Sequence, residues 1–224
     1  VVGARRTAEE LGRAFPGTVL RTSGREQMLA AIPAGPSLVV CTPGAEPVAA
    51  GGYGAVLLLD GWAALGRLDL RAGEEALRRW FAAAALARPA SDGGRVVVVA
   101  DRGLAPVQAL TRWDPAGAAA RELADRTALG FPPVTRMAAV DGSPAAIAAV
   151  VAALEHAGPA PGGLRHRELE VLGPVPAGDG ERLLLRVPRD RGQQLAAALA
   201  AVQAQRSAGK AQPVRVELDP QLLG

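Results

Sequence analysis

Short apolar runs alternate with amphipathic stretches through the first half of the chain. Thr7-Ala-Glu-Glu10 has the pattern of a capping box, opening a helix with Leu11 and Phe15 on one face, and Pro16-Gly17 stops it. A strand is predicted over 19–21 and a brief helix over 25–31. Residues 37–41, 55–60 and 95–100 are nearly continuous apolar runs, the pattern of strands covered on both faces. Between the last two, Leu77, Trp80, Phe81 and Ala84 recur at helical spacing within 72–87. Strands alternating with helices predict a parallel α/β layer.

Beyond a connecting helix over 114–128, stopped by Leu129-Gly-Phe-Pro-Pro133, the pattern changes. A strand over 134–140 leads to Ser143-Pro144, a helix start, with Ile147, Val150, Val151 and Leu154 as the core stripe. A Gly/Pro-rich loop covers 158–163. Strands over 168–172 and 182–187, a helix carrying Leu195, Ala198, Leu199 and Val202, and a strand over 213–218 complete the chain. The order β-α-β-β-α-β predicts a ferredoxin-like α+β domain. Alternation of Leu169 and Val171 with Glu168 and Glu170 predicts one wet sheet face. The expected division is 1–117 and 118–224.

Hydrophobic residues make up 49% of the 224, which excludes wholesale disorder. Lys plus Arg number 25 against 22 Asp plus Glu, and neither half is strongly basic, so charge alone does not argue for nucleic acid. Cys41 is the only cysteine. It cannot form an internal disulfide, and with only His156 and His166 it cannot build a Cys-rich zinc site. No apolar run approaches a membrane span, so no membrane partner is expected and the compartment reads as cytoplasmic. Val1-Val2-Gly3 resembles the end of a strand, which suggests a fragment with an upstream part missing.

Candidate chemistry is sparse. Lys210 is the only lysine and lies in a loop without P-loop neighbours. Thr42-Pro-Gly-Ala45, with Gly44, follows a strand and reads either as a small anion nest or as an ordinary turn. Asp60 ends an apolar run, as a metal–phosphate ligand would, or as a turn residue would. His156 falls at a predicted helix C-terminus, a structural role, and His166 lies in a basic loop. No nucleophile–base motif is evident, and the inventory favours a non-enzyme. All seven aromatics precede residue 132, so the second domain has no base-stacking platform. Its arginines remain: Arg186, Arg189 and Arg191 at the entry to the second helix, and the pair Arg165 and Arg167. Guanidinium groups suit phosphate or carboxylate capture, and equally a solvated surface.

Three stretches resemble the C-terminal part of the primosomal protein N′ family of bacterial replication-restart proteins. They are Leu129-Gly-Phe-Pro-Pro133 after Arg121-Glu-Leu-Ala124, Val171-Leu-Gly-Pro-Val-Pro176, and the terminal Val216-Glu-Leu-Asp-Pro220. Upstream, Ala14-Phe-Pro-Gly17, Leu57-Leu-Leu-Asp60, Leu70-Arg-Ala-Gly-Glu-Glu75 and Gly94-Arg-Val-Val-Val98 are similar to segments of the family's second helicase lobe. The resemblance implies a RecA-like lobe followed by a ferredoxin-like domain that binds DNA and partners. Two departures stand out. Cys41-Thr-Pro-Gly-Ala-Glu-Pro47 replaces the family's Gly-Thr-Gln-Met-Leu-Ala-Lys-Gly loop. Ala83-Ala-Ala-Leu-Ala-Arg-Pro-Ala90 replaces its Gln-x-x-Gly-Arg-x-Gly-Arg motif, leaving only Arg88 nearby.

The resemblance therefore implies a degenerate lobe, with its fold kept and its ATP-driven motor chemistry lost. Thr42, Gly44, Asp60 and Arg88 are its vestigial nucleotide-site candidates. No cofactor is expected in this chain. The family's zinc (two ions) and its N-terminal DNA-binding domain would lie upstream. Implied partners are branched or forked DNA, the C-terminal tail of single-stranded DNA-binding protein, other primosome components and the replicative helicase, in the cytoplasm at the nucleoid. Arg189, Arg191 and Gln194 are the candidates for an acidic tail or phosphates. An active ATP-dependent helicase lobe, or a separate α/β enzyme with a small-molecule site, are the competing readings. The Arg- and Ala-rich composition resembles high-GC actinobacterial members.

Overall fold

The computed structural model describes residues 3–67, 69–156 and 164–221. The strand ending expected at Val1-Val2 and the loop expected over 158–163 lie outside these residues. The chain forms two compact units, Val1–Ala118 and Ala119–Gly224.

The first unit holds α1 (Ala4–Ala14), β1 (Leu20–Ser23), β2 (Ala31–Ile32), β3 (Leu38–Cys41), β4 (Val48–Ala49), β5 (Ala55–Leu58), α2 (Gly61–Leu65), α3 (Ala72–Ala84), β6 (Arg95–Val98) and α4 (Ala105–Arg112). Its strands form three parallel pairs, β1–β3, β2–β4 and β5–β6. The Thr7 capping box is not used. Helix α1 begins three residues earlier behind Gly3, which makes no side-chain cap, and the Thr7 N–H already donates to the Gly3 carbonyl. The helix expected over 25–31 is also absent. Gly24 N–H donates to the Gln27 carbonyl, and the buried Ser23 hydroxyl accepts the Leu29 N–H, so a local turn captures a backbone acceptor and a backbone donor that a helix would need.

Helix α3 carries Glu74 and Glu75 in its first turn, against the positive end of its dipole. It buries Ala76, Trp80, Ala83 and Ala84 against Leu58 of β5 and Val107 and Leu110 of α4. It stops at Ala84 rather than at 87, ahead of Arg88-Pro89. The strands around this core are covered on one face only, contrary to the sequence expectation. Leu57 and Val97, paired in register, are 60% and 48% exposed, and Leu59 and Val99 just beyond them are exposed too. Side chains alternate along a strand, so the helices that bury Leu58 and Val98 leave the other face bare.

Trp113 ends α4 in the left-handed region, at φ 54, with its ring edge-on to Phe81 at 5.0 Å. Asp114 then caps α5 (Pro115–Leu129), accepting the Gly117 N–H at 2.7 Å with Pro115 in the first helical position. Helix α5 ends in a Schellman motif. Gly130, at φ +66, donates to the Thr127 carbonyl, and Phe131 donates to the Arg126 carbonyl.

The second unit continues with β7 (Thr135–Gly142), α6 (Pro144–His156), β8 (Glu170–Ala177), β9 (Gly180–Pro188), α7 (Gly192–Ala208) and β10 (Arg215–Leu218). The sheet order is β10–β7–β9–β8, with every neighbouring pair antiparallel. The Ser143 hydroxyl accepts the Ala146 N–H and starts α6, as its sequence predicts. One sheet face, carrying Ala138, Val140, Leu183, Leu185 and Val187, meets Ile147, Val150 and Leu154 of α6 and Leu195, Leu199 and Val202 of α7. At about 1.5–3 kcal/mol for each fully buried large aliphatic, this layer dominates the unit's stability. Strand β8 runs beyond the expected Leu172 through an irregularity between Leu172 and Val175. The whole is a mixed α/β chain of small parallel pairs followed by one antiparallel sheet.

Candidate anionic-ligand cleft

Where α7 begins, the second unit opens a cleft of about 280 Å³, lined by Arg136, Met137, Arg189, Asp190, Gly192, Gln193, Leu195, Leu218 and Asp219. Three local features build it. Strand β9 ends at Pro188, and a 3-10 turn over Arg189–Arg191 throws Arg189 outward before α7 starts. Gly192 has no side chain, and a Cβ there would meet Cγ of Arg136 at 2.7 Å, so the Arg136 stem lies across the start of the helix. No side chain caps α7, and its Gly192 N–H donates to the Arg189 carbonyl of the preceding 3-10 turn.

Arg136 Nη1 donates to Asp219 Oδ2 at 2.5 Å. Asp219 is fixed by its own N–H, which donates to the Met137 carbonyl at 2.8 Å and carries the β10–β7 ladder one step past Leu218. Its φ of 47 lies in the left-handed region. Arg189 is exposed, and among the described residues its guanidinium has no hydrogen bond or ion pair. Met137 and Leu195, both almost fully buried, and the half-exposed Leu218 also line the cleft. Such a cleft suits a small anionic group.

The other arginines singled out in the sequence lie elsewhere. Arg191 pairs with Glu168 at 3.3 Å and Asp190 at 3.9 Å. Arg186 is bonded to both Glu170 oxygens and donates to the carbonyls of Leu129 and Gly130. Gly130 leaves room for that guanidinium, because a Cβ there would meet Arg186 Nη1 at 2.8 Å. Gln194 does not line the cleft and its buried Oε1 has no partner, whereas Gln193 does line it. Arg165 and Arg167 are exposed around the 3-10 turn His166–Glu168, where Glu168 accepts the Arg165 N–H. Arg136 and Asp219 escaped the sequence reading because 83 positions separate them.

The sheet face away from the helices is charged and self-paired. Arg182 grips Asp141 with bonds of 2.7 and 3.1 Å, and Arg215 pairs with Glu217 at 3.3 Å. The Arg182 hydrogen bond holds the Asp141 carboxyl below the usual carboxylate range, and the Asp141 carboxylate raises Arg182 in turn.

In the first unit, Thr42, Gly44, Asp60 and Arg88 make separate local contacts. Gly44 N–H donates to both Glu46 oxygens, at 2.9 and 3.0 Å. Arg88 Nε donates to the carbonyls of Gly51 and Gly52. Asp60 precedes α2 at φ 53 without capping it, and the Thr42 N–H donates to the Ser23 carbonyl. Burial, with a smaller effect of Glu46, pushes the Cys41 thiol up to about 11. His156, in the last turn of α6, contacts the Ala152 carbonyl through Nδ1 at 2.6 Å. Among the described residues no cluster of three His, Cys, Asp or Glu side chains is placed to hold a metal, and no helix is long and apolar enough to cross a membrane.

Residues 127–221 match the family model of the primosomal protein N C-terminal domain. Over its full length the chain is 50% identical, across 241 aligned residues, to the probable replication restart protein PriA of Mycobacterium tuberculosis (strain CDC 1551 / Oshkosh), of which it covers 36%. It is 51% identical over 238 residues to the probable replication restart protein PriA of Mycobacterium leprae (strain TN), covering 35%. The chain thus spans about a third of the length of these relatives. With the C-terminal domain matched and likeness extending along the whole chain, it belongs to the replication restart protein PriA family, as a C-terminal portion.

Proposed function

We propose that this chain serves replication restart as a non-catalytic adaptor: a degenerate RecA-like lobe followed by a ferredoxin-like domain that holds branched DNA and an acidic partner tail. The observation that carries this reading is the cleft at the start of α7. There Arg189, which has no partner among the described residues, stands with Arg136 in one cleft. Guanidinium groups capture carboxylates and phosphates through paired N–H donors. In the longer protein this domain would engage the tail of single-stranded DNA-binding protein at abandoned forks and help reload the replicative helicase.

The first unit supports an adaptor rather than a motor. Gly44 N–H, the donor a phosphate would need, already serves Glu46, and Arg88 is occupied with the Gly51–Gly52 turn. The sheet face of the second unit is self-neutralised through Asp141–Arg182 and Glu170–Arg186, which directs recognition to the cleft.

Fluorescence anisotropy with a labelled forked DNA and a labelled acidic peptide, across a salt series, tests the reading. Binding that weakens with salt, and weakens further on Arg189→Ala, is expected. Absence of binding to either probe, or ATP hydrolysis by the full-length protein that falls on Arg88→Ala, would overturn it.

A further inference from the structure

The cleft already contains a carboxylate. Four charged side chains line it: Arg136 and Arg189, Asp190 and Asp219. Asp190 reaches Arg191 at its rim, whereas Asp219 sits on Arg136. The Arg136–Asp219 pair is about half exposed on both sides, at 46% and 45%, so water competes for it and the bond is exchangeable. Asp219 is held there by backbone geometry rather than by packing. Its N–H is the step past β10 that bonds the Met137 carbonyl, and its φ of 47 is a conformation that few residue types other than Gly, Asn and Asp adopt readily. The residue is thus set up to present a carboxylate to Arg136 while Arg189 is left without a partner.

We propose that Arg136 and Arg189 form a two-guanidinium subsite for a peptide carboxylate, and that Asp219 is its internal competitor, occupying half of the subsite until an acidic peptide displaces it. The inference rests on the reading of the cleft as an acidic-peptide site and adds Asp219 to it, as the residue that opposes binding. An incoming carboxylate takes over the Arg136 N–H groups that Asp219 held and gains Arg189 as well. The displaced Asp219 side chain turns to solvent, and its backbone bond to Met137 need not break. Affinity is thereby set lower than two free arginines would give, which favours release once the ligand is needed elsewhere.

Asp219→Asn tests this in the full chain, because Asn accepts the same left-handed backbone and removes only the charge. The probe is a labelled synthetic peptide of aspartates with a free C-terminal carboxylate, read by anisotropy at low salt, with thermal unfolding to verify the fold. Asp219→Asn is expected to bind about threefold to fivefold tighter than the parent chain, the scale of an exposed ion pair. Adding Arg136→Gln to Asp219→Asn should abolish that gain. If the parent chain binds and Asp219→Asn binds equally or more weakly, the competitor is refuted while the acidic-peptide reading stands. If neither binds, that reading fails and takes the competitor with it. A gain for forked DNA without a gain for the peptide overturns the carboxylate assignment.

Discussion

Asp141 on β7 and Arg182 on β9 are direct cross-strand partners, joined by hydrogen bonds of 2.7 and 3.1 Å on the sheet face away from the helices. Arg182 keeps the Asp141 carboxyl below its usual range. A carboxylate with a depressed folded-state pKa contributes stability that is full above its unfolded pKa and disappears as pH falls through the folded value. Glu75 behaves in the same way in α3, held down to about 2 by Arg78 first and Arg79 second. Stability should therefore decline as pH drops below about 4, the range of unperturbed carboxylates. Asp141→Asn should flatten that decline for the second unit and cost about 1 kcal/mol at neutral pH. Urea unfolding at a series of pH values checks both.

Two neighbouring arginines should separate stability from binding. Arg186 is tied to Glu170 and to the end of α5, whereas Arg189 touches no partner among the described residues. Arg186→Ala should lower stability by about 1–3 kcal/mol, through a lost charge-assisted network and the loss of its bond to the Leu129 carbonyl, whereas the Gly130 carbonyl keeps the Thr135 hydroxyl. Arg189→Ala should leave the unfolding midpoint within about 0.5 kcal/mol of the parent while weakening the acidic peptide. Paired melts and anisotropy titrations would show the crossover.

Arg126 is the one charged residue among those described whose whole side chain is buried, with Glu122 at 2.7 Å and the Pro132 carbonyl at 3.2 Å. It clamps the 129–133 turn back onto α5. Arg126→Met keeps the apolar stem but removes these bonds, and should cost about 1–3 kcal/mol. The denaturation midpoint should fall with an unchanged m-value, and amides of the turn should exchange faster.

Cys41 should be a poor nucleophile. With its thiol pushed up to about 11, only about one molecule in a thousand carries the thiolate at pH 8. Alkylation by iodoacetamide should be correspondingly slow in the native chain and should accelerate on unfolding. Glu46→Gln, which removes the smaller cause, should raise the native rate only slightly.

The second unit was the more legible from sequence because its signals are local and concordant. Ser143-Pro144 starts α6, and the stripes of Ile147, Val150 and Leu154 and of Leu195, Leu199 and Val202 go to the core. The first unit misled where one local signal displaced another. Thr7 had the right spacing for a cap, yet the helix was already under way, and the Ser23 hydroxyl removed a donor from the helix expected over 25–31. The candidate site was only half visible. A cluster of arginines around the α7 entry can be seen in the chain. Which of them is free depends on contacts such as Arg191–Glu168 and Arg186–Glu170, and these follow from strand register and turn geometry. Arg136 and Asp219 meet only because β10 pairs with β7.

The bare face of the β5–β6 pair gives the chain a second response to its solvent. Mobile ions screen the attraction of a guanidinium for a carboxylate, so rising ionic strength should weaken the proposed peptide binding in the cleft. Strongly hydrated salts such as sulfate do the reverse for exposed aliphatics, because their exclusion from apolar surface favours its burial. Leu57, Leu59, Val97 and Val99 should therefore draw molecules together as sulfate rises, a turbidity that Leu57→Asn with Val97→Thr suppresses without changing peptide affinity. Within one polypeptide, the salt that frees the basic surface thus makes the apolar one adhesive.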